Sequence, residues 1–203
     1  ITNVGTLNVK VKAENQNYET VEEAYELKVT KRKVTLTSET ASKAYDGTEL
    51  TKPEVTVGDD GFVDGEVEGI KATGTIVNVG SVANPIEYTG VEGKFNADNY
   101  KIQKQEGTLT ITKAGSLELT VKGAERKYNG EPLSAAKVEA KVTEGTTISY
   151  SIDDGKTWKA EAPSITNVGT LNVKVKAENQ NYETVEEAYE LKVTKRKVTL
   201  TSE

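Results

Sequence analysis

The chain has 203 residues, of which 35% are hydrophobic and 29% charged, and its formal net charge is −6. That length accommodates one to two domains, and the acidic balance argues against a nucleic-acid partner, which calls for a basic footprint. Cys, His and Met are absent, which excludes zinc sites built from Cys and His, Ser-His-Asp and Cys-His nucleophiles, and any disulfide framework.

In chain order, the first signal is the alternation of Leu7-Asn8-Val9-Lys10-Val11-Lys12, a half-buried strand pattern. Tyr18 to Tyr25, with Glu22-Glu23-Ala24, is the one helix candidate, short and acidic. Strand alternation resumes at Tyr25–Thr30 and at Lys33–Thr37. Tyr45-Asp46-Gly47 reads as a turn, and Gly61-Phe62-Val63-Asp64 as a short helical turn. Leu109–Thr112 and Leu117–Val121 alternate again, rich in the β-branched and aliphatic residues that suit a pleated surface. Tyr128-Asn129-Gly130 is a second turn. Ile148–Ile152, then Asp153-Asp154-Gly155-Lys156 and Thr157-Trp158, reads as a hairpin, because Asp-Gly supplies the positive φ that a tight turn needs.

A repeat organises these elements. Residues 1–39 return without a mismatch as residues 165–203, an offset of 164 residues. A half-period lies inside it. Asn99-Tyr100 and Asn181-Tyr182 are 82 residues apart, as are Thr112-Lys113 and Thr194-Lys195. Asn78-Val79-Gly80 and Asn167-Val168-Gly169 are 89 apart, and the two Tyr-Asp/Asn-Gly turns 83. A register that slips and recovers signals loop insertions in a shared scaffold. The sequence therefore divides into residues 1–32, the C-terminal half of a B module; 33–114, module A; 115–196, module B; and 197–203, the first strand of a following A module. The junctions Ile111–Leu117 and Val193–Val198 contain no Pro and no Gly/Ser tract, which favours stiff stacking over a flexible tether. Ile1 is not a natural start and no signal peptide precedes it, so the sequence reads as a piece of an array.

The fold expected is mainly β: tandem small β-sandwich, immunoglobulin-like modules arranged end to end. The alternative is small α+β modules with one short helix each.

The order KAYDGTEL, TGTIVNVGS, NADNYKI, GTLTITKA in module A resembles the YDG and MBG modules of bacterial surface proteins. The matching residues are Tyr45-Asp46-Gly47, Val79-Gly80, Asn99-Tyr100 and Gly107–Lys113. Module B departs from the pattern, with Tyr128-Asn129-Gly130 and a Glu190–Lys195 closing run. The resemblance implies tandem extracellular modules of a large adhesin on a bacterial cell surface, anchored to the cell wall through a region outside this segment. It implies neither catalysis nor a ligand.

Candidate sites have structural readings. Asp59-Asp60-Gly61 and Asp153-Asp154-Gly155 lack the oxygen spacing of a calcium loop and fit turn chemistry. Glu22-Glu23 and Glu186-Glu187 are adjacent, so on a strand they point to opposite faces rather than across a glycosidase cleft. Trp158, paired with Tyr150 on the hairpin, reads as packing, and Tyr100 and Tyr182 as corner tyrosines that cap a loop. The 23 lysines and many asparagines offer no spacing that singles out a Lys–Asn or Lys–Asp crosslink. No catalytic, metal or cofactor residue is assigned, and no enzyme activity is expected. The expected function is a structural stalk or spacer; the alternative is a multivalent array that binds host glycan or matrix protein weakly. Expected partners are neighbouring repeats of the same chain, self-association or strand swapping through residues 1–32, and a host ligand that the sequence does not identify. Nucleic acid and membrane insertion of this segment are not expected, since no apolar run approaches a membrane span.

Overall fold

The computed structural model describes residues 1–201. Strands dominate, and the only helical segment among the described residues is a 3-10 turn at Ala97–Asn99. The chain divides into two compact units. The first takes Ile1–Lys43, Glu49–Ile76 and Gly80–Thr110; the second takes Ala44–Thr48, Val77–Val79 and the chain from Ile111 onward.

The earlier strands are β1 (Gly5–Asn15), β2 (Tyr18–Val29), β3 (Arg32–Ser38), β4 (Ala41–Ala44), β5 (Leu50–Thr51), β6 (Val55–Asp59), β7 (Val67–Ala72), β8 (Thr75–Ile76), β9 (Gly80–Asn84), β10 (Ile86–Gly90), β11 (Tyr100–Gln105) and β12 (Gly107–Thr112). β1 and β2 form a two-stranded hairpin. β3 is the centre of the sheet β11-β3-β6, parallel to β11 and antiparallel to β6. Its alternation places Val34, Leu36 and Ser38 inward. Val34 and Leu36 join Ile86 and Tyr100 in the core, with Val55, Ile70 and Ile102 packed around them. Both phenylalanines of the chain sit here: Phe62 lies 5.3 Å from Tyr100 and Phe95 stacks on Tyr100 at 5.6 Å. A buried polar clamp closes the other end. The Asn84 amide donates to the carbonyls of Glu39 (3.1 Å) and Lys52 (2.9 Å) and accepts from the Gly74 N–H (3.0 Å). Ser38 donates to the Asn84 carbonyl at 2.6 Å. Asn84 and Ser38 themselves are buried, so their polar atoms would cost free energy if left unpaired.

The later strands are β13 (Ala114–Ser116), β14 (Leu119–Lys122), β15 (Ala124–Lys127), β16 (Lys137–Ala140), β17 (Thr147–Ser151), β18 (Gly169–Glu178), β19 (Tyr182–Glu183) and β20 (Val185–Thr194). The sheet β15-β20-β18-β17 carries the buried face of the second unit. Val173, Val175, Tyr189 and Leu191 of that face pack against Leu119, Val121 and Val138 of the β14-β16 pair. Gly123, between β14 and β15, passes so close to β20 that a Cβ there would run into the Glu190 carbonyl.

Matched bonds recur across the half-period. Tyr100 pairs with Arg32 in a parallel ladder, and Tyr182 with Ala114. The Tyr45 N–H donates to the Thr112 carbonyl and the Tyr128 N–H to the Thr194 carbonyl, each at 2.9 Å. Leu50 pairs with Ile76, and Leu133 with Ile165. Asp46 and Asn129 build the same turn, each side chain accepting the N–H two residues on, from Thr48 and Glu131. Asp and Asn are interchangeable there because either supplies the acceptor oxygen.

Three expectations need correction. Tyr18–Tyr25 is part of strand β2, not a helix, so the α+β alternative does not hold. β1 offers it a continuous antiparallel ladder, whereas an isolated helix of that length is unstable in water. Gly61–Asp64 is not helical either, since Gly61 adopts φ +66° in a loop fixed by Tyr100. The stretch after Ile148–Ile152 returns as a single bridge rather than a second strand. Tyr150 exchanges backbone bonds with Lys159 (2.8 and 2.9 Å), not with Trp158, because the Asp153 side chain folds the intervening loop around itself. The copy of β3 at residues 197–201 is without regular structure, and residues 202–203 of that expected strand lie outside the described residues.

Candidate functional site

The recurring site chemistry is a turn and an asparagine that latches it. Ile-x-Asn-Val-Gly occurs three times, beginning at Ile1, Ile76 and Ile165. In each, the glycine has φ between +151° and +158°, a region that side chains disfavour. The isoleucine tip lies against it, so that a Cβ on Gly5, Gly80 or Gly169 would sit 3.6, 3.8 or 3.6 Å from the Cδ1 of Ile1, Ile76 or Ile165. Two of the turns are latched. The Val4 N–H donates to Asn99 Oδ1 and Asn99 Nδ2 donates to Asn3 Oδ1, both at 2.9 Å. The Val79 N–H donates to Asn181 Oδ1 at 2.9 Å and Asn181 Nδ2 donates to Asn78 Oδ1 at 3.0 Å. The first latch lies inside the first unit and the second inside the second. Each ties together stretches that the sequence period assigns to successive modules. At the third turn Val168 is 47% exposed, whereas Val4 and Val79 are half-buried.

The residue after the latch also has a fixed role. The Tyr100 hydroxyl accepts from the Val63 N–H (3.1 Å) and donates to Glu66 (2.5 Å). Burial, then the Glu66 hydrogen bond, pushes its pKa up. Tyr100 is therefore a corner tyrosine. Tyr182 differs: its ring meets Tyr45 edge-on at 5.7 Å.

The repeated hairpin is the second candidate surface. β1 and β2 pair from Gly5↔Val29 to Ala13↔Val21, and β18 and β20 pair from Gly169↔Val193 to Ala177↔Val185. The sequences and registers are the same, but the surroundings are not. In the second unit β17 lies along one edge and β15 along the other. Among the described residues, neither edge of β1-β2 carries a further strand. Leu7, Val11, Val21, Tyr25 and Leu27 are exposed there.

The acidic turns are consumed by their own loops. Asp59 accepts from the Thr35 hydroxyl at 2.5 Å and Asp60 from the Lys33 N–H at 3.2 Å. Asp153 accepts from the Thr157 N–H (2.9 Å), the Thr157 hydroxyl (2.6 Å) and the Ser151 hydroxyl (2.7 Å). The Thr157 bonds, with Ser151 next, hold its carboxyl well below the usual range. Glu22 and Glu23 stand opposite Lys12 and Val11, and Glu186 and Glu187 opposite Lys176 and Val175. Trp158 is half-buried beneath Lys176, whose Nζ lies 4.9 Å from the ring centroid.

An open groove in the second unit runs past Asp153, Asp154, Asn172, Lys174 and Tyr189. Lys174 pairs with Asp154 at 2.6 Å, and that hydrogen bond raises its pKa. The Tyr189 hydroxyl is buried without a protein partner. Burial, with a smaller contribution from Tyr150, pushes its pKa up to about 12. Neither Asp153 nor Tyr189 titrates near neutral pH, where a general acid or base works best. Sequence reasoning marked Asn-Val-Gly and Asn-Tyr as landmarks but missed that they bind each other. It missed Asn84 altogether, because nothing in a lone asparagine signals burial.

No protein-family model matches this sequence, and no curated protein matches it. Solved structures do match in part. Drosophila N-cadherin EC1-4 aligns over 93% of this chain at 8% identity with a TM-score of 0.31. Protocadherin gamma B7 cadherin domains 1–4 align over 94% at 9% identity, also with a TM-score of 0.31. A SusE-like surface-located polysaccharide-binding protein from the heparin utilisation locus of Bacteroides thetaiotaomicron aligns over 96% at 11% identity, with a TM-score of 0.26. The chain spans 58% of the length of each cadherin structure and 33% of the polysaccharide-binding protein.

Proposed function

We propose that this chain is a structural spacer from a bacterial surface adhesin, extracellular and anchored to the cell wall through another region. Its role is to supply length and stiffness beneath a distal binding domain, and it carries out no reaction. One observation carries the reading: the chemistry that recurs is chemistry that fixes backbone. The same 39-residue sequence stands at both ends of the chain, its hairpin takes the same register twice, and the recurring polar constellation is the asparagine latch on a turn. A repeat under selection for a ligand would reproduce an exposed polar or aromatic cluster instead. Strands of roughly eight residues at about 3.3 Å each span about 26 Å, a module with its end loops roughly 30–40 Å, and two modules therefore roughly 60–80 Å per 164-residue period. Solution scattering on chains of one, two and three periods is expected to show a rod that lengthens by that increment. A compact envelope whose maximum dimension grows with the cube root of length overturns the reading.

A second reading, a multivalent array of weak ligand sites, draws on the groove beside Lys174 and Tyr189. Binding of this chain on a glycan array, lost on Lys174→Ala, favours it; no signal above background removes it.

A further inference from the structure

We propose that the hairpin β1-β2 is one half of a docking site, and that its occupant is a polypeptide with the sequence of residues 115–164. The chain contains its own template for this interface. β18-β20 is the same hairpin by sequence and register, and there the occupant is present. Val175 is fully buried and Val11 is 51% exposed; Tyr189 is 7% exposed and Tyr25 51%. The difference is supplied by residues 115–164. Leu119, Val121 and Val138 cover the face, and Ile148 and Tyr150 cover its β17 margin. β15 and β17 pair along the two edges. Burying such an apolar face is favourable. The open edges of β1-β2 are templates for added strands.

The occupant is specified by more than apolar character. β15 enters parallel to β20 and β17 antiparallel to β18, so the two edges select different strands. The close approach of Gly123 to Glu190 demands a glycine at that crossing; Glu26 is the corresponding residue of β2. A second intact copy of the chain is a poor occupant. Its residues 115–164 already hold an identical hairpin, so exchange uncovers as much surface as it covers and forfeits the high effective concentration of the tethered partner. The segment that fits is one whose own C-terminal half is not engaged. This inference is independent of the spacer reading, since it concerns one interface and not the shape or location of the array.

Two measurements on the full chain test it. In the first, unlabelled peptide 115–164 is titrated into the 15N-labelled chain. Saturable one-to-one binding is expected, with at least tenfold slower amide exchange along β1 and β2 and none for a scrambled peptide. In the second, residues 115–164 are joined directly ahead of Ile1, reproducing the Ser164–Ile165 connection. Exchange at Val9, Val11, Tyr25 and Leu27 is expected to fall to the rates of Val173, Val175, Tyr189 and Leu191. V11D in the extended chain is expected to reverse that protection while leaving the β18-β20 rates unchanged. If β1-β2 exchanges as fast in the extended chain as without the extension, the proposal is overturned. It is equally overturned if the chain dimerises through β1-β2 and the added segment does not compete.

Discussion

Val11 and Val175 occupy the same position of the same sequence, opposite Glu23 and Glu187 in ladders of the same register, yet one is half exposed and the other fully buried. Local sequence makes the hairpin, and the opposing sheet makes it a core. Val175→Ala is expected to destabilise the second unit by about 2 kcal/mol, from the lost methyl burial and the residual cavity. Val11→Ala is expected to stay within about 0.5 kcal/mol. Urea denaturation followed by Trp158 fluorescence reads the first effect, because Trp158 is the only tryptophan and lies in the second unit. Far-ultraviolet circular dichroism of the whole chain reads the second. Equal losses at the two positions would contradict the burial difference.

Alkali is expected to unfold the second unit through its tyrosines. Burial raises the pKa of Tyr189 to about 12, against a usual value near 10. A raised folded-state pKa means that the folded unit holds this proton more tightly than the unfolded chain. The stabilisation is therefore fully present below pH 10 and is lost as pH rises through 12. Burial shifts Tyr150 in the same direction. Tyr189→Phe removes a buried hydroxyl that has no protein partner, so it should cost little at pH 7 and should flatten the decline between pH 10 and 12. Thermal melts across that range provide the comparison, and an unchanged slope in the variant would count against the assignment.

Asn84 is the strongest polar determinant of the first unit. Its side chain satisfies two carbonyls and one N–H from three separate segments, with no exposure to solvent. Asn84→Ala leaves all three part-buried groups without that partner, and the expected total loss is about 2 kcal/mol, within the range for a lost partner of a buried polar group. Asn84→Asp is expected to be no rescue, because a carboxylate cannot donate to Glu39 and Lys52. Equilibrium denaturation of both variants, read by the tyrosine signal of the first unit, checks the magnitude.

The latches make a prediction that separates three copies of one turn. The amides of Val4 and Val79 each donate to an asparagine side chain, whereas Val168 is exposed. Hydrogen exchange is therefore expected to be slow at Val4 and Val79 and fast at Val168. Asn99→Ala should release Val4 alone and Asn181→Ala should release Val79 alone, each at a stability cost of about 1 kcal/mol. Release of both amides by either substitution would show that the latches are not independent.

Asp153 gives the acid counterpart. Its carboxyl lies well below the usual range because Thr157 and Ser151 donate to the ionised form. A depressed folded-state pKa contributes stability above about pH 4, lost as pH falls through the folded value. Asp153→Asn should loosen the loop at all pH values and remove its acid sensitivity, read by exchange at the Thr157 amide.

The repeat, two of the turns and several of the strands are legible in the residues alone. Period-two alternation at Leu7–Lys12 and Lys33–Thr37 is visible because a strand shows one face to the core and one to water. Tyr45-Asp46-Gly47 and Tyr128-Asn129-Gly130 were legible because their turns are built from their own side chains. The helix candidate at Tyr18–Tyr25, short and acidic, shows the limit: β1 pairs with it as a strand, and composition does not reveal that partner. Only the tertiary structure decided that Asn99 and Asn181 latch turns far away in the chain, that Asn84 is buried, and that Trp158 lies under Lys176. It also decided the difference between the two hairpins. Identical residues 1–39 and 165–203 carry identical local preferences, so nothing within them can make Val11 exposed and Val175 buried. That outcome rests on whether residues such as Leu119, Val121 and Val138 stand opposite, and burial is a property of the pair of surfaces rather than of either one.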